Sequence, residues 1–578
     1  MRTSVRGAVG SVPGVRPAAS WARRARVRAQ ALVRRRRHAE LAALVRSLQG
    51  RDDAEIAIFV PVPPGLVAAV RTTSPAARVT EVPKGDKNRH FTMTALGPFD
   101  VILDREAVER RKRRFEATFF QLRPGGTYVV PGGARELGPE RGPLGELLHV
   151  AAATPSEPLR ERPRPLRENR RLAIRNHVSH RAAGSHLLLS HDIPDVVVKL
   201  REAQYNAYLK RIDAPHRVVR TIRAERPTAP PEGIVGPEPG TLPASRPISR
   251  ARLSLRDYRD VVVAPHQVLL DGRVLRPDTY RHNQWPVLLN TRLIDLAERF
   301  AEPRSRILSD LPRLTGTYLH LDNEFRGHFG HLLTESLSRV WSWPEALAID
   351  PDAKVLLGTT GKRPRPLEYE LQLYEACGIP RDRIVIIDGP VRVDRLISGT
   401  PMFSHPQYVH PRIAETWREV GDRLAASAPE RDWPRRFFVS RRSDKRSCAN
   451  GEVVEAIFAE YGFEIVFPED YSLGEQVQLF RGAEAIGGYA GSGLFQIAFV
   501  PEPTHVVMVR AMSYTPRNEN LMAAVNGHRI DAVVCRAEGK GVQLSYTFDE
   551  QREGPFLRKT LGELPKPRDF MQSGDTGR

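Results

Sequence analysis

The sequence predicts an α/β protein: two Rossmann-like halves in the C-terminal part of the chain, preceded by a separate Rossmann-like α/β unit. Three observations carry this. Short apolar runs alternate with stretches whose apolar residues recur at helical spacing, the runs end in charged or glycine-rich turns, and a proline-dense stretch parts the two regions. The 578 residues leave room for about three domains, each able to bury its own core.

Residues 1–50 are basic, and Arg23-Arg24-Ala25-Arg26 with Arg34-Arg35-Arg36-Arg37 concentrate much of the formal net charge of +20. Arginines occupy the place where a secretory signal needs an apolar stretch, so a disordered tail is expected. The alternative is an amphipathic basic helix over 27–48, in peripheral contact with an acidic membrane surface. Elsewhere arginine is dispersed, with no basic groove interleaved with aromatics, and nucleic acid is not expected as a partner. Mean hydropathy of -0.39 fits a soluble globular protein, and no apolar run reaches the ~18 residues of a membrane span; a cytoplasmic setting is expected. Cys377, Cys448 and Cys535 lack CxxC spacing, so neither a disulfide framework nor a zinc ribbon is indicated.

Residues 51–212 read as the first α/β unit. Strands are expected at 56–60, 78–82 and 99–104, a short helix at 66–70, a charged helix over 106–122, and a return to the sheet at 123–130. The pair Phe99-Asp100-Val101-Ile102-Leu103-Asp104 and Leu122-Arg123-Pro124-Gly125-Gly126-Thr127-Tyr128-Val129-Val130 resembles the second half of class I methyltransferase folds. The glycine-rich turn that brings the cofactor to the backbone in that family is replaced here by Val60-Pro61-Val62-Pro63-Pro64-Gly65, and proline offers no N–H. A degenerate Rossmann-like domain is therefore expected, with Asp100 and Asp104 in structural roles.

Residues 213–254 are dense in proline and arginine and read as a linker or extended arm. From 255 to 560 the pattern is α/β again, and 561–578 reads as a tail. The first half has strands at 354–357 and 384–387 around a helix at 367–377, and an amphipathic helix at 413–424 bridges to the second.

The second half is the most informative. A strand at 437–439 runs into Ser440-Arg441-Arg442-Ser443-Asp444-Lys445-Arg446, whose guanidinium forks suit a phosphate. Asn450 is placed to cap a helix that Gly462 stops, a strand follows at 464–467, and Ser472 with Glu475 forms a capping box. A third strand opens into Gly487-Gly488-Tyr489-Ala490-Gly491-Ser492-Gly493, and a helix begins near Leu494. Glycines there let N–H groups approach an anion at a helix N-terminus. Two phosphate contacts from neighbouring strand ends suit a diphosphate.

This ordered string resembles glycosyltransferase family 61. The matching pieces are Ser440-Arg441-Arg442, then Arg446 through Asn450-Gly451-Glu452-Val453, then Gly462-Phe463, Ser472-Leu473-Gly474-Glu475-Gln476-Val477 and Gly491-Ser492-Gly493-Leu494. Many relatives carry H-G-A-G-L at the turn; Ala490 stands at the histidine position here, and Gln496 stands where an asparagine is usual. Upstream, His331-Leu332-Leu333-Thr334-Glu335 fits the family's H-[FW]-x-x-E with Leu332 for the aromatic. On a helix from about 327, His328, His331 and Glu335 share a face, and a histidine beside a carboxylate can act as a general base. The bland alternatives are a satisfied surface histidine and a Glu335–Arg339 ion pair. A metal site is disfavoured because zincin spacing is absent.

The resemblance implies GT-B architecture for 255–560 and transfer of a hexose or pentose, with inversion, from a nucleotide-diphosphate donor to a glycan or other hydroxyl acceptor. It suggests surface polysaccharide or cell-envelope glycan synthesis. The expected roles are His331 and Glu335 in catalysis, and Arg441, Arg442, Lys445, Arg446, Gly491, Ser492 and Gly493 on the donor diphosphate. Glu475 is a possible nucleotide contact, and neither a cofactor nor a metal is expected. A non-catalytic carbohydrate-binding or scaffold protein and an S-adenosylmethionine-dependent methyltransferase are the competing readings.

Overall fold

The computed structural model describes residues 21, 25–31, 38, 41–46 and 53–565, the last span without 61, 63–64, 106–109, 139–140, 160–163, 211, 213–215, 229–231, 236–246, 282–287, 305–309, 361–363, 443–446 and 538–544. The chain divides into two compact units, one of residues 1–198 with Ile294–Arg304 and one of Lys199–Leu293 with 305–578. The first unit therefore ends before the expected boundary at 212 and takes back a later segment.

In the first unit, β1 (Glu55–Phe59), β2 (Arg78–Val82), β3 (Phe99–Leu103), β4 (Leu122–Val130), β5 (Val178–Ala183) and β6 (His186–His191) form a sheet in the order β2-β1-β3-β4-β6-β5. The first four are parallel, and β6 and β5 close the sheet antiparallel. Most of the basic N-terminal segment lies outside the described residues. Residues 41–46, however, are helical, and Leu41, Ala42 and Val45 are buried in the same core as Ile56, Ile58 and Val101. The apolar spacing of those three residues, rather than the arginines around them, decides that this part folds.

Among the described residues the second unit holds two large sheets and a two-stranded one of Phe403–Ser404 with Tyr408–Val409. In the first, β7 (Arg217–Glu225) and β9 (Ala251–Ala264) are antiparallel strands leading to a parallel array of β10 (Arg313–His320), β11 (Lys354–Gly358), β12 (Ile384–Ile387) and β13 (Val391–Gly399). The parallel order is β13-β10-β11-β12. In the second sheet, β14 (Arg436–Val439), β15 (Glu464–Val466), β16 (Ala485–Tyr489), β17 (His505–Ala511) and β18 (Arg529–Cys535) run parallel in the order β15-β14-β16-β17-β18. The strand β8 (Glu232–Val235) adds to its edge beside β18.

The expected linker at 213–254 is thus corrected: it supplies β7, β8 and the start of β9. Val-Val and Ile-containing stretches between its prolines meet sheet edges, and pairing there satisfies backbone groups that a linker would leave to water. The expected C-terminal tail begins later as well, because the helix Gly554–Gly562 is ordered and Leu561 and Leu564 are buried.

Helices cover both faces of the second sheet. Val454, Ile457 and Leu557 join a core with Phe438, Val507 and Val533 on one face. On the other, Val477, Leu494 and Leu521 join a cluster that continues through Trp417 and Ile413 into Leu333, Leu337 and Val355 of the first half. One apolar core therefore fixes the two halves as a single unit.

Candidate functional site

Each of the two parallel arrays of the second unit has a place where the strand order reverses. In open α/β sheets that reversal leaves a crevice at the carboxyl ends of the two strands, because their connections leave to opposite faces. In the second sheet the reversal lies between β14 and β16, so the segments after Val439 and Tyr489 border it. In the first it lies between β10 and β13, bordered by the segments after His320 and Gly399. The candidate residues of the sequence fall in three of these four segments, except Glu475, which lies on the helix Leu473–Arg481 after β15.

After β14, Arg441 turns back over the neighbouring strand end. Its guanidinium donates to the carbonyl of Ala490 at 2.9 Å and stands over the Tyr489 ring at 5.3 Å from the centroid. Arg441 and the glycine turn are thus adjacent, and Arg441 stays half-buried. Arg442 points elsewhere: it makes a bidentate ion pair with Asp470 and lies 4.3 Å from the Phe467 centroid. The Ser440 hydroxyl is engaged by Glu455 at 2.5 Å. Lys445 and Arg446 lie outside the described residues.

The turn itself is built differently from the expectation. Gly487 and Gly488 belong to β16, where a Cβ on Gly487 would stand 2.4 Å from Phe458; they serve helix–sheet packing. Gly491 has φ +134, a conformation that L side chains rarely adopt, so glycine is required there. Its N–H is already used, donating 2.7 Å to Glu519 Oε1, which also accepts from the Tyr514 hydroxyl at 2.9 Å. That correction leaves Ser492 and Gly493, at the start of the helical turn Ser492–Phe499, as the remaining glycine-turn positions; Gly493 is exposed and Ser492 half-buried. Gln496 is bound to Gln476 at 2.8 Å.

Glu475 accepts the Ser472 N–H at 2.8 Å and pairs with Arg431 at 3.2 Å. Its carboxyl is held below the ordinary range first by the Ser472 backbone bond. The capping box therefore accounts for this residue. Asn450 precedes its helix without capping it; its amide is bonded to Phe548 on both sides, Nδ2 to the carbonyl at 2.8 Å and Oδ1 from the N–H at 2.9 Å.

In the first half the helical segment opens at Phe329, and Leu332–Ser336 widens into a π-turn, a local form frequent at functional sites. Through it His331 Nδ1 lies 2.6 Å from Glu335 Oε1. An ionised carboxylate only accepts, so Nδ1 is the nitrogen that donates to Glu335. Arg281 approaches the same Glu335 oxygen at 3.3 Å, where the alternative had placed Arg339. Phe325 stacks on the His331 ring at 4.8 Å, and His328, outside the helix, meets it edge-on at 4.8 Å. Leu333, Leu337 and Val340 are buried as their spacing predicts.

His405, on the segment after β13, completes the cluster. Burial first, then Arg281, pushes its imidazole down to about 4, so it is neutral near pH 7. It accepts the Arg517 N–H at 3.4 Å, and Arg517 directly precedes the helix Asn518–Asn526 that carries Glu519. A second link joins the halves at Gly330, where a Cβ would stand 2.9 Å from Phe495 of the helical turn after Gly491. Glycine permits that approach, and it brings the His331 backbone against the second half.

Arg281, Phe325, His405, Arg517 and Glu519 were not legible as site residues, since only tertiary contacts assign them. The three thiols show no sign of activation: all are free, and burial raises Cys448 to about 11 and Cys377 to about 12. Among the described residues no helix is long and apolar enough to cross a membrane.

Residues 329–507 match the model of the family described as Glycosyltransferase 61. The match takes in His331, Glu335, His405, Arg441 and the turn at Gly491, while Arg281, Arg517 and Glu519 lie outside it. No curated protein matches the chain.

Proposed function

We propose, from the match of residues 329–507 to the glycosyltransferase 61 model, that the protein moves a hexose or pentose from a nucleotide-diphosphate donor to a hydroxyl acceptor with inversion. The bond between the anomeric carbon and the diphosphate oxygen breaks, the acceptor oxygen attacks from the opposite face, and the nucleoside diphosphate leaves. His331 Nε2 takes the acceptor proton. Glu335 holds the other ring nitrogen and stabilises the imidazolium that forms. Charge growing on the departing diphosphate is met by Arg441 and by the N–H groups of Ser492 and Gly493, as preorganised donors at a helical turn.

The observation that carries this reading is the contact of Arg441 with Ala490 at the strand-order reversal, with the His331 helix pressed against the same turn through Gly330. Surface polysaccharide or cell-envelope glycan synthesis at the cytoplasmic face is the setting we propose. Lys445 and Arg446 would add to the diphosphate site. The N-terminal unit serves packing or acceptor recognition in this scheme, since its Asp100 and Asp104 are engaged internally. The test is hydrolysis of a panel of nucleotide sugars by the full chain. Arg441→Ala should lower turnover of the preferred donor by about 10²–10³-fold with an unchanged melting temperature; parent-like turnover removes Arg441 from the site.

A further inference from the structure

The same unit has a second recess. The helix Glu202–Leu209 and the strands β7 and β9 border two adjoining clefts of about 610 and 650 Å³. Six cations line them: Arg201, Lys210, Arg223, Arg226, Arg250 and Arg252. Among the described lining residues the acids are two, Glu202 and Glu225. Glu202 is engaged beneath the cleft by Arg256 at 2.6 Å and by the Thr400 hydroxyl, which leaves Glu225. The floor is polar, with the Asn206 amide bonded to Arg256 at 3.1 Å and to Ser254 at 3.4 Å.

The position of the recess ties it to the candidate site. Thr400 follows the last residue of β13, and it exchanges bonds of 3.0 Å with Ser254 in both directions, from its N–H to the Ser254 carbonyl and from the Ser254 N–H to its hydroxyl. His410 contacts the Arg223 carbonyl at 3.2 Å. The cleft floor and the segment bearing His405 therefore leave the same carboxyl edge of the first sheet.

We propose that this recess binds a carboxylate-bearing glycan, the acceptor chain of the transfer, with its acidic groups on the six cations and its hydroxyls on the polar floor. This rests on the glycosyl-transfer reading above. Among the described lining residues none is aromatic, so they offer no platform for the stacking that holds single-stranded nucleic acid. A recessed polar floor also suits discrete charged groups better than a flat lipid surface.

The test uses the full chain and a fluorescently labelled hexamer of galacturonic acid, read by anisotropy. Binding should weaken as salt is raised, because the contacts are between solvent-exposed charges. Unlabelled hexagalacturonate should compete and maltohexaose should not. The double variant Arg250→Glu/Arg252→Glu should bind about tenfold or more weakly while keeping donor hydrolysis and melting temperature; Lys210→Glu should weaken binding independently. Arg441→Ala should bind the hexamer as the parent does, which separates failure of this site from failure of the catalytic reading. The proposal is overturned by absent binding, by equal binding of the neutral hexamer, by unaltered binding in both charge-reversal variants, or by stronger competition from a single-stranded oligonucleotide or from phosphatidylglycerol vesicles.

Discussion

The N-terminal unit and the second half of the C-terminal unit are both built on parallel strands, the former closed by an antiparallel pair, yet they treat the charges at their strand ends in opposite ways. After β3, Asp104 is buried and takes Arg114 at 3.0 Å and the Tyr128 hydroxyl at 2.9 Å. Asp100 is likewise occupied, by the Glu55 N–H at 2.8 Å and by Arg123. After β14, Arg441 reaches the Ala490 carbonyl and the Tyr489 ring across the neighbouring strand end and stays half-buried there. His331 is similar: its Nδ1 is held by Glu335 while 24% of its side chain remains exposed. Charges neutralised within the fold act on stability, and charges left at an open strand end can act on a ligand.

The strongest way to break this contrast is to remove the base. His331→Ala should lower transfer by about 10²–10⁴-fold with little change in melting temperature; a variant that unfolds instead would make His331 a packing residue. Arg114→Ala should do the reverse. It takes the guanidinium away from a buried Asp104, which costs roughly 3–5 kcal/mol, seen as a lower denaturation midpoint for the N-terminal unit, with turnover retained where that unit is still folded.

Histidine burial sharpens the comparison through pH. His405 falls from 6.5 to about 4 and His320 from 6.5 to about 3, both through burial first. Both bind protons more weakly folded than unfolded, so the unfolded chain takes up more protons below 6.5 and stability falls as pH drops from there toward about 4. His405→Gln should flatten a melting-temperature profile over that window, removing up to roughly 3 kcal/mol of its slope. A profile identical to the parent's would mean that His405 is not buried as a neutral ring. The smallest effect is expected at Glu475, where Glu475→Ala should cost about 0.3–1.5 kcal/mol and leave the donor KM unchanged. A large rise in KM would return Glu475 to the nucleotide.

Much of the second half was legible in the chain because its signals are local. Strand, capping box and turn are set by neighbours within a few residues, so Ser472 with Glu475 and the strand before Ser440 could be read directly. The pairing of His331 with Glu335 is one helical turn and was legible for the same reason. What failed were inferences from composition: prolines at 213–254 and arginines at the N-terminus hid segments that pair with a sheet edge or bury Leu41 and Val45. Glycine counting misled too, since Gly487 and Gly488 serve packing and the Gly491 N–H belongs to Glu519.

By itself, then, the sequence determined the class of fold, the strand ends that carry arginine and glycine, and the histidine–carboxylate pair, because each depends on spacing along the backbone. The tertiary structure alone decided which charges are spent. Asp470 claims Arg442, Glu519 claims the Gly491 N–H, and Arg281 and His405 gather around Glu335, through contacts between residues far apart in the chain. Ion pairing and burial depend on distance in space, and no local pattern encodes it.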